Sequence, residues 1–326
     1  MHTRNDIFSV QGPEEFNALA LKIFHFQYSE NEVYRRFCDL LQTDTQKVDS
    51  IKKIPFLPIE FFKSEKVISS SEEAEIVFTS SGTTGQQKSK HFVTDLEIYV
   101  ESFRRGFEYF YNNVEDYAVL ALLPSYLERE GSSLIFMAKD LIERSRNPHS
   151  GFYLNDLEAL KDKLQLLEQQ HQKVLLIGVS FALLDLAEGS SFHLKNTIVM
   201  ETGGMKGRRK EMIRAELHEV LKNGFGVEKI HSEYGMTELL SQAYSTGDGV
   251  FECPPWMKIL IRDPEDALSL LPPGKTGGLN IIDLANINSC SFIATQDLGK
   301  DLENGKTEIL GRFDNSDIRG CNLLII

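Results

Sequence analysis

From Ile76 to about Tyr244 short apolar runs alternate with stretches of helical period, and no other feature restricts the fold of this chain as strongly. The runs IVF, YAVLALL, KVLLIGV and TIVME have the length of buried strands, and DLEIYVESFRRGFEYF, FALLDLAE and RRKEMIRAELHEVL between them carry helical patterns. A parallel strand must be followed by a crossover, usually a helix, so this alternation predicts an α/β layer with a largely parallel sheet. EKIHSEYG adds a further strand. After Tyr244 the pattern changes to strands divided by Pro/Gly turns: WMKILIRDP, LPPGKTGGLNIIDLA, SFIATQDLG and KTEILGRFD. These predict a β-rich subdomain packed on the α/β part.

Ahead of Ile76, PEEFNALALKIFHFQY and NEVYRRFCDLL space Phe16, Leu19, Ile23 and then Val33, Phe37, Leu40 as two amphipathic helices require. IPFLPIEFFK follows, and its Pro55 and Pro58 forbid a continuing helix, so it reads as an extended connector docked on the core. The expected organisation is a helical segment and connector over 1–75, an α/β core over 76–243 and a β-rich subdomain over 244–326.

A formal net charge of -13 argues against nucleic acid as the main partner, because binding phosphate backbones by charge needs a basic face. No apolar run has the length of a signal peptide or a membrane span, which makes the cytoplasm the expected compartment. Four cysteines, Cys38, Cys253, Cys290 and Cys321, are too scattered for a CxxC metal site and too few for a disulfide framework. The first three read as structural thiols.

The chemistry concentrates in IVFTSSGTTGQQKSK, Ile76 to Lys90, where a β-prone run leads into hydroxyls, glycines and a lysine. Gly82 and Gly85 let backbone N–H groups approach phosphate oxygens, Ser81, Thr83 and Thr84 donate hydrogen bonds, and Lys88 brings positive charge. A GxxxxGK[ST] loop is the obvious competitor, but Gln87 stands where its sixth position needs glycine. TSSGTTGQQK resembles instead the phosphate loop of the adenylate-forming superfamily, which includes acyl-CoA synthetases, peptide-synthetase adenylation domains and luciferases. Gln87 replaces the usual proline and Ser89 the usual glycine after the lysine.

Further segments match that superfamily in order. METGGMKGRRKE places Gly203 and Gly204 after a strand, similar to the glycine-containing turn that lies against adenine. YGMTE resembles the aromatic-Gly-x-Thr-Glu motif, which implies that Tyr234 lies by the adenine beside Gly235, that Thr237 contacts the α-phosphate region and that Glu238 holds Mg²⁺. A carboxylate suits that hard cation. SFIATQDLG resembles the threonine-x-aspartate segment, making Asp297 the ribose ligand, and EILGRFDNSDIRG resembles the hinge motif, with Arg312 as a second contact to ribose or phosphate. The implied fold is that of an acyl-adenylate synthetase N-terminal domain, and the implied cofactors are ATP and Mg²⁺.

A typical acyl-CoA synthetase continues well past the hinge into a mobile domain with a catalytic lysine, whereas here only CNLLII follows Gly320. That ending, with PFLPIEFFK, TSSGTTG, LLPSYLEREGSSL and GRFDNSDIRGCNLLII, resembles the acyl-protein synthetase of bacterial bioluminescent fatty-acid reductase systems, the LuxE type. The resemblance implies a ligase that makes acyl-AMP from a fatty acid and passes the acyl group to a cysteine near its own C-terminus, then to a reductase partner. Cys321 stands in that place. Two alternatives remain open in the sequence: a core that acylates CoA or a carrier protein, and a nucleotide-binding scaffold without catalysis. Pro124, Ser125 and Glu128 follow a predicted buried strand, where active-site loops leave an α/β sheet.

Overall fold

The computed structural model describes residues 4–80, 87–123, 131–154, 156–188, 191–203 and 212–312. It divides into two compact units, one of Met1–Ser102, Thr237–Ser241 and Glu252–Ile326, the other of Phe103–Met236 and Gln242–Phe251.

The first unit opens with α1 (Arg4–Phe8), α2 (Pro13–Glu30) and α3 (Glu32–Leu40). Proline at the first position and acidic residues in the first turn start α2, and the Asn31 side chain caps α3 by accepting from the Tyr34 N–H at 2.9 Å. Both helices form as their periodicity requires, but the buried face of α3 differs from Val33, Phe37 and Leu40. Tyr34 is fully buried, its hydroxyl donating to the Pro55 carbonyl at 2.6 Å, and Leu40 is left 78% exposed. Burying an aromatic ring whose hydroxyl finds an acceptor outweighs covering one terminal leucine.

The connector is extended only in part. Its β1 (Leu57–Pro58) pairs in parallel with Ile293 and Ala294, and a single helical turn, α4 (Phe61–Ser64), follows and buries Phe62. Then β2 (Ile76–Thr79) and β3 (Lys90–Val93) form an antiparallel pair, and α5 (Leu96–Tyr111) begins.

The second unit contains the alternating elements: β4 (Ala118–Leu122), α6 (Ser133–Ser145), β5 (Gly151–Phe152), α7 (Leu157–Gln169), β6 (Val174–Gly178), α8 (Ser180–Glu188), β7 (Thr197–Thr202), α9 (Arg214–Phe225), β8 (His231–Tyr234), β9 (Ala243–Ser245) and β10 (Val250–Glu252). The strand order β9-β8-β7-β6-β4-β5 is parallel except for β9, which runs against β8. Every residue of β4 and β6 is buried, as strands covered on both faces must be. Met212 and Ile213 precede α9 in non-helical conformation, so that helix starts later than its charged pattern suggests.

The first unit resumes with β11 (Met257–Arg262), β12 (Thr276–Asp283), β13 (Phe292–Asp301) and β14 (Lys306–Arg312), an antiparallel meander. No helix among the described residues is long and apolar enough to cross a membrane.

Candidate active site

The segment Thr237–Ser241 belongs to the first unit and forms a turn with no regular element of its own. No helix follows Thr237, so it is not a helix cap. Buried side chains fix the turn instead. His91 of β3 donates through Nδ1 to the Thr237 carbonyl at 2.9 Å, and Asn286 donates through Nδ2 to the Glu238 carbonyl at 2.8 Å. Asp283, at the end of β12, accepts from the Leu240 and Ser241 N–H groups at 2.8 and 3.0 Å and from the Ser241 hydroxyl at 2.6 Å.

Within this turn Glu238 is only 6% exposed. Burial raises its pKa, and the Ser89 hydroxyl, its own backbone N–H and the charges of Arg312 and Lys63 only partly offset that. A desolvated carboxylate suits a cation, and the positive charges of Arg312 and Lys63 in its neighbourhood suit that cation's phosphate ligands. Among the described residues there is no cluster of three or more metal-ligating side chains, and Mg²⁺ held by one carboxylate and substrate phosphates needs none.

Ser89 joins the phosphate-loop segment to this site. Residues 81–86, with Ser81, Gly82, Thr83, Thr84 and Gly85, lie outside the described residues, but both flanks are tied together: Ser80 N–H donates to the Ser89 carbonyl at 3.1 Å and Ser89 N–H to the Ser80 hydroxyl at 2.9 Å. Lys88, next to buried Ser89, is exposed. Where the superfamily pattern has glycine, this chain thus gains a hydroxyl that donates to Glu238.

Asp297 on β13 and Arg312 on β14 stand directly opposite each other in the antiparallel register. Thr295 supports the first of them, its hydroxyl accepting from the Asp297 N–H at 3.1 Å. In the first unit, then, Ser89, Glu238 and Arg312 interact, and Asp297 is the cross-strand neighbour of Arg312.

The second unit carries its candidates at the C-terminal ends of adjacent parallel strands, where ligands bind α/β sheets. Gly203 follows β7 with φ +73°, a left-handed conformation that favours glycine, and its carbonyl accepts from the Ser180 hydroxyl. Gly204 lies outside the described residues. Tyr234 ends β8, half-buried, its ring edge-on to Phe251 at 6.1 Å. A side chain on Gly235 would meet the folded-back Glu233 carboxylate and have to push it aside.

A model of the family described as acyl-protein synthetase, LuxE, matches residues 9–115 and 147–326. The chain belongs to this family. It is 23% identical over 340 residues to the long-chain-fatty-acid–luciferin-component ligase of Vibrio harveyi, spanning 97% of this chain and 89% of that protein. The Aliivibrio fischeri protein of the same name is 24% identical over 339 residues, with 94% and 86% covered. Among solved structures, an open conformation of 2-hydroxyisobutyryl-CoA ligase in complex with 2-HIB-AMP and CoA gives a TM-score of 0.69 at 12% identity over 93% of this chain and 70% of that one. ATP-bound MatB from Rhodopseudomonas palustris gives 0.56 at 18% identity over 75% and 49%. These likenesses establish the fold expected from the sequence, that of the adenylate-forming ligases.

The LuxE-family match omits 116–146, which includes Pro124, Ser125 and Glu128; these three also lie outside the described residues. So does Cys321. The other cysteines of this LuxE-family chain are poor nucleophiles: burial pushes the Cys38 and Cys253 thiols up to about 12 and Cys290 higher still. His231 lies in β8, where its Nδ1 meets the Tyr111 hydroxyl at 3.2 Å, and burial holds its pKa down to about 4.

Reading the sequence alone missed Lys63, Ser89, His91, Asn286 and the paired carboxylates Glu201 and Glu233. His91 had a signal: β3 alternates exposed Lys90, buried His91, half-buried Phe92 and buried Val93, which puts an ionisable ring inward. Glu201 is held ionised by its neighbours; His218 and Arg214 outweigh its burial and lower its pKa. Glu233, hydrogen-bonded by Thr202, is raised by burial from 4.5 to about 7.

Because the folded-state pKa of Glu233 exceeds its unfolded value, its ionisation opposes folding, by nothing below pH 4.5 and increasingly as pH rises through 7. The shift corresponds to about 3 kcal/mol at alkaline pH. Glu233→Gln keeps an acceptor for Thr202 and removes that cost. It is expected to raise the melting temperature at pH 8 and to change it little at pH 5. Parallel melting-temperature profiles for the two proteins between these pH values would refute the assignment.

Proposed function

We propose that this chain activates a long-chain fatty acid with ATP, forming acyl-AMP and pyrophosphate, and then transfers the acyl group to a thiol, that of Cys321. LuxE-family membership supports the reaction class. The observation that carries the adenylation step is buried Glu238, held on a braced turn with Ser89 beside it and within the electrostatic influence of Arg312 and Lys63.

In the first step a carboxylate oxygen of the fatty acid attacks the α-phosphorus of ATP and pyrophosphate leaves. Such a reaction is catalysed mainly by positioning and charge neutralisation. Lys88 and the loop of Ser81, Gly82, Thr83, Thr84 and Gly85 hold the phosphates, Thr237 contacts the α-phosphate, and Asp297 accepts from the ribose hydroxyls, with Arg312 beside it. Tyr234, Gly235, Gly203 and Gly204 border the adenine. Glu238 would hold Mg²⁺, which would supply neutralisation of phosphate charge. In the second step the Cys321 thiolate attacks the acyl carbon, AMP leaves, and the thioester retains an acyl group reactive enough to hand to a reductase-like partner. We place this activity in the cytoplasm, where ATP is supplied.

The test is acid-dependent ATP–pyrophosphate exchange across a panel of carboxylic acids of increasing chain length. Exchange that rises with chain length is expected. No exchange with any acid would defeat the proposal. Asp297→Ala is expected to raise the ATP KM about tenfold or more with little effect on the fatty-acid KM, since two hydrogen bonds to a charged acceptor are lost. An unchanged ATP KM would place the ribose elsewhere.

A further inference from the structure

The turn that presents Thr237 and Glu238 is held by residues to which adenylation chemistry assigns no task. His91 and Asn286 are both fully buried, and each donates a hydrogen bond to the carbonyl of one of those two residues. The Thr237 carbonyl accepts only, so His91 must carry its proton on Nδ1. The ring is fixed by the edge-on Phe62 ring, 5.7 Å between centroids. Burial keeps the His91 pKa down to about 4, so the ring is neutral at ordinary pH.

Asn286 is itself held in place. Gln27 of α2, also fully buried, donates to the carbonyls of Asn286 and Ile287 at 3.0 and 2.9 Å and accepts from the Ser291 N–H at 2.9 Å. The brace therefore runs from the N-terminal helix through Asn286 to Glu238 and from β3 through His91 to Thr237, and the two arms meet where the Asn286 side chain lies beside the His91 ring. A turn without helix or strand ladder would otherwise leave these carbonyls unpaired and the side chains free to shift. A displacement of about 1 Å in such a site costs about 100-fold in rate.

We propose that His91, acting through the Thr237 carbonyl, and Asn286, acting through the Glu238 carbonyl, are positioning residues that set where the Thr237 hydroxyl and the Glu238 carboxylate stand. The inference rests on the adenylation reading above and deepens it. Neither residue touches the reacting atoms. The brace determines how well Mg²⁺ and the α-phosphate are met, while fatty-acid binding is left alone.

The experiment compares His91→Leu, which removes the donor, with His91→Asn, whose amide nitrogen stands close to the position of Nδ1. In pyrophosphate exchange, His91→Leu is expected to raise the half-saturating Mg²⁺ concentration and lower kcat, each by about 10–100-fold, without moving the fatty-acid KM. His91→Asn is expected to recover most of both. Should His91→Leu fail to fold, Asn286→Asp, which is nearly isosteric but turns an acceptor toward the Glu238 carbonyl, is expected to produce the same shift in Mg²⁺ dependence. Wild-type kinetics in folded His91→Leu, or equal impairment in folded His91→Asn, would overturn the inference while leaving the adenylation reading intact. A readout without turnover is the long-range ¹H–¹⁵N spectrum, with the His91 signals assigned by their loss in His91→Asn. It is expected to show the Nδ1–H tautomer, and an Nε2–H tautomer would overturn the inference by itself. A wild-type protein that exchanges pyrophosphate with no acid would bring down the adenylation reading and this inference together.

Discussion

Glu238→Gln is expected to lower acid-dependent ATP–pyrophosphate exchange by about 100-fold or more while leaving the protein as stable as wild type, or more so. The rate loss follows from removing the negative charge that would hold Mg²⁺, because a neutral amide is a weak ligand for a hard cation and electrostatic groups in such sites contribute on this scale. The stability gain follows from the environment of Glu238. Burial raises its pKa despite the Ser89 hydroxyl and the Arg312 and Lys63 charges, so the ionised form is held in the fold at a cost that glutamine avoids. Opposite signs for activity and stability distinguish a functional carboxylate from a structural one. Exchange kinetics and thermal melts on the same preparations measure both. Near-wild-type exchange would remove Glu238 from the site, and lost exchange with a melting temperature lowered by several degrees would make its role structural.

The parts of this molecule legible in the sequence are those governed by a local period or a local backbone requirement. The strands β4, β6, β7 and β8 and the helices α5, α8 and α9 follow from apolar spacing, since each element answers to its own burial pattern, whereas α6 and α7 were not read from it. Gly203 was legible as a turn glycine after a strand, and its φ of +73° is a conformation that favours glycine. The buried face of α3 was not legible. It depends on the Tyr34 hydroxyl reaching Pro55, and no local spacing records a partner 21 residues away.

The same distinction applies to the site. Thr237, Glu238, Asp297 and Arg312 sit in short motifs, and a motif can be read without knowing what lies behind it. His91, Asn286, Asp283 and Gln27 act through contacts separated by 42 to 264 residues in the chain. Each of them looks in sequence like an ordinary polar residue among apolar ones. Their function exists only once β3, β12, the loop after β12 and α2 have been packed into one unit. Ser89 shows the intermediate case: the sequence marks it as a departure from glycine, but only the fold shows that the added hydroxyl donates to Glu238.

Cys321→Ser is expected to make acyl-AMP at the wild-type rate and to carry no stable thioester. The thiol is proposed to act only after adenylation, so removing it leaves pyrophosphate exchange untouched. Serine changes little in volume but stays protonated at neutral pH, whereas an ordinary cysteine of pKa ~8.5 is a few per cent thiolate. The remaining cysteines do not substitute readily, because burial raises the Cys38, Cys253 and Cys290 thiols far above that value and leaves almost no thiolate. Wild-type protein incubated with ATP and radiolabelled fatty acid is expected to retain label through denaturation and to release it to neutral hydroxylamine, as thioesters do. Cys321→Ser is expected to retain none while exchanging normally. Equal hydroxylamine-sensitive labelling of the two proteins would move the acceptor to another thiol, and free CoA or a carrier protein accepting the acyl group equally well from both would make Cys321 dispensable. Loss of exchange in the variant would assign residue 321 a role in adenylation itself, before any acyl group exists to be transferred.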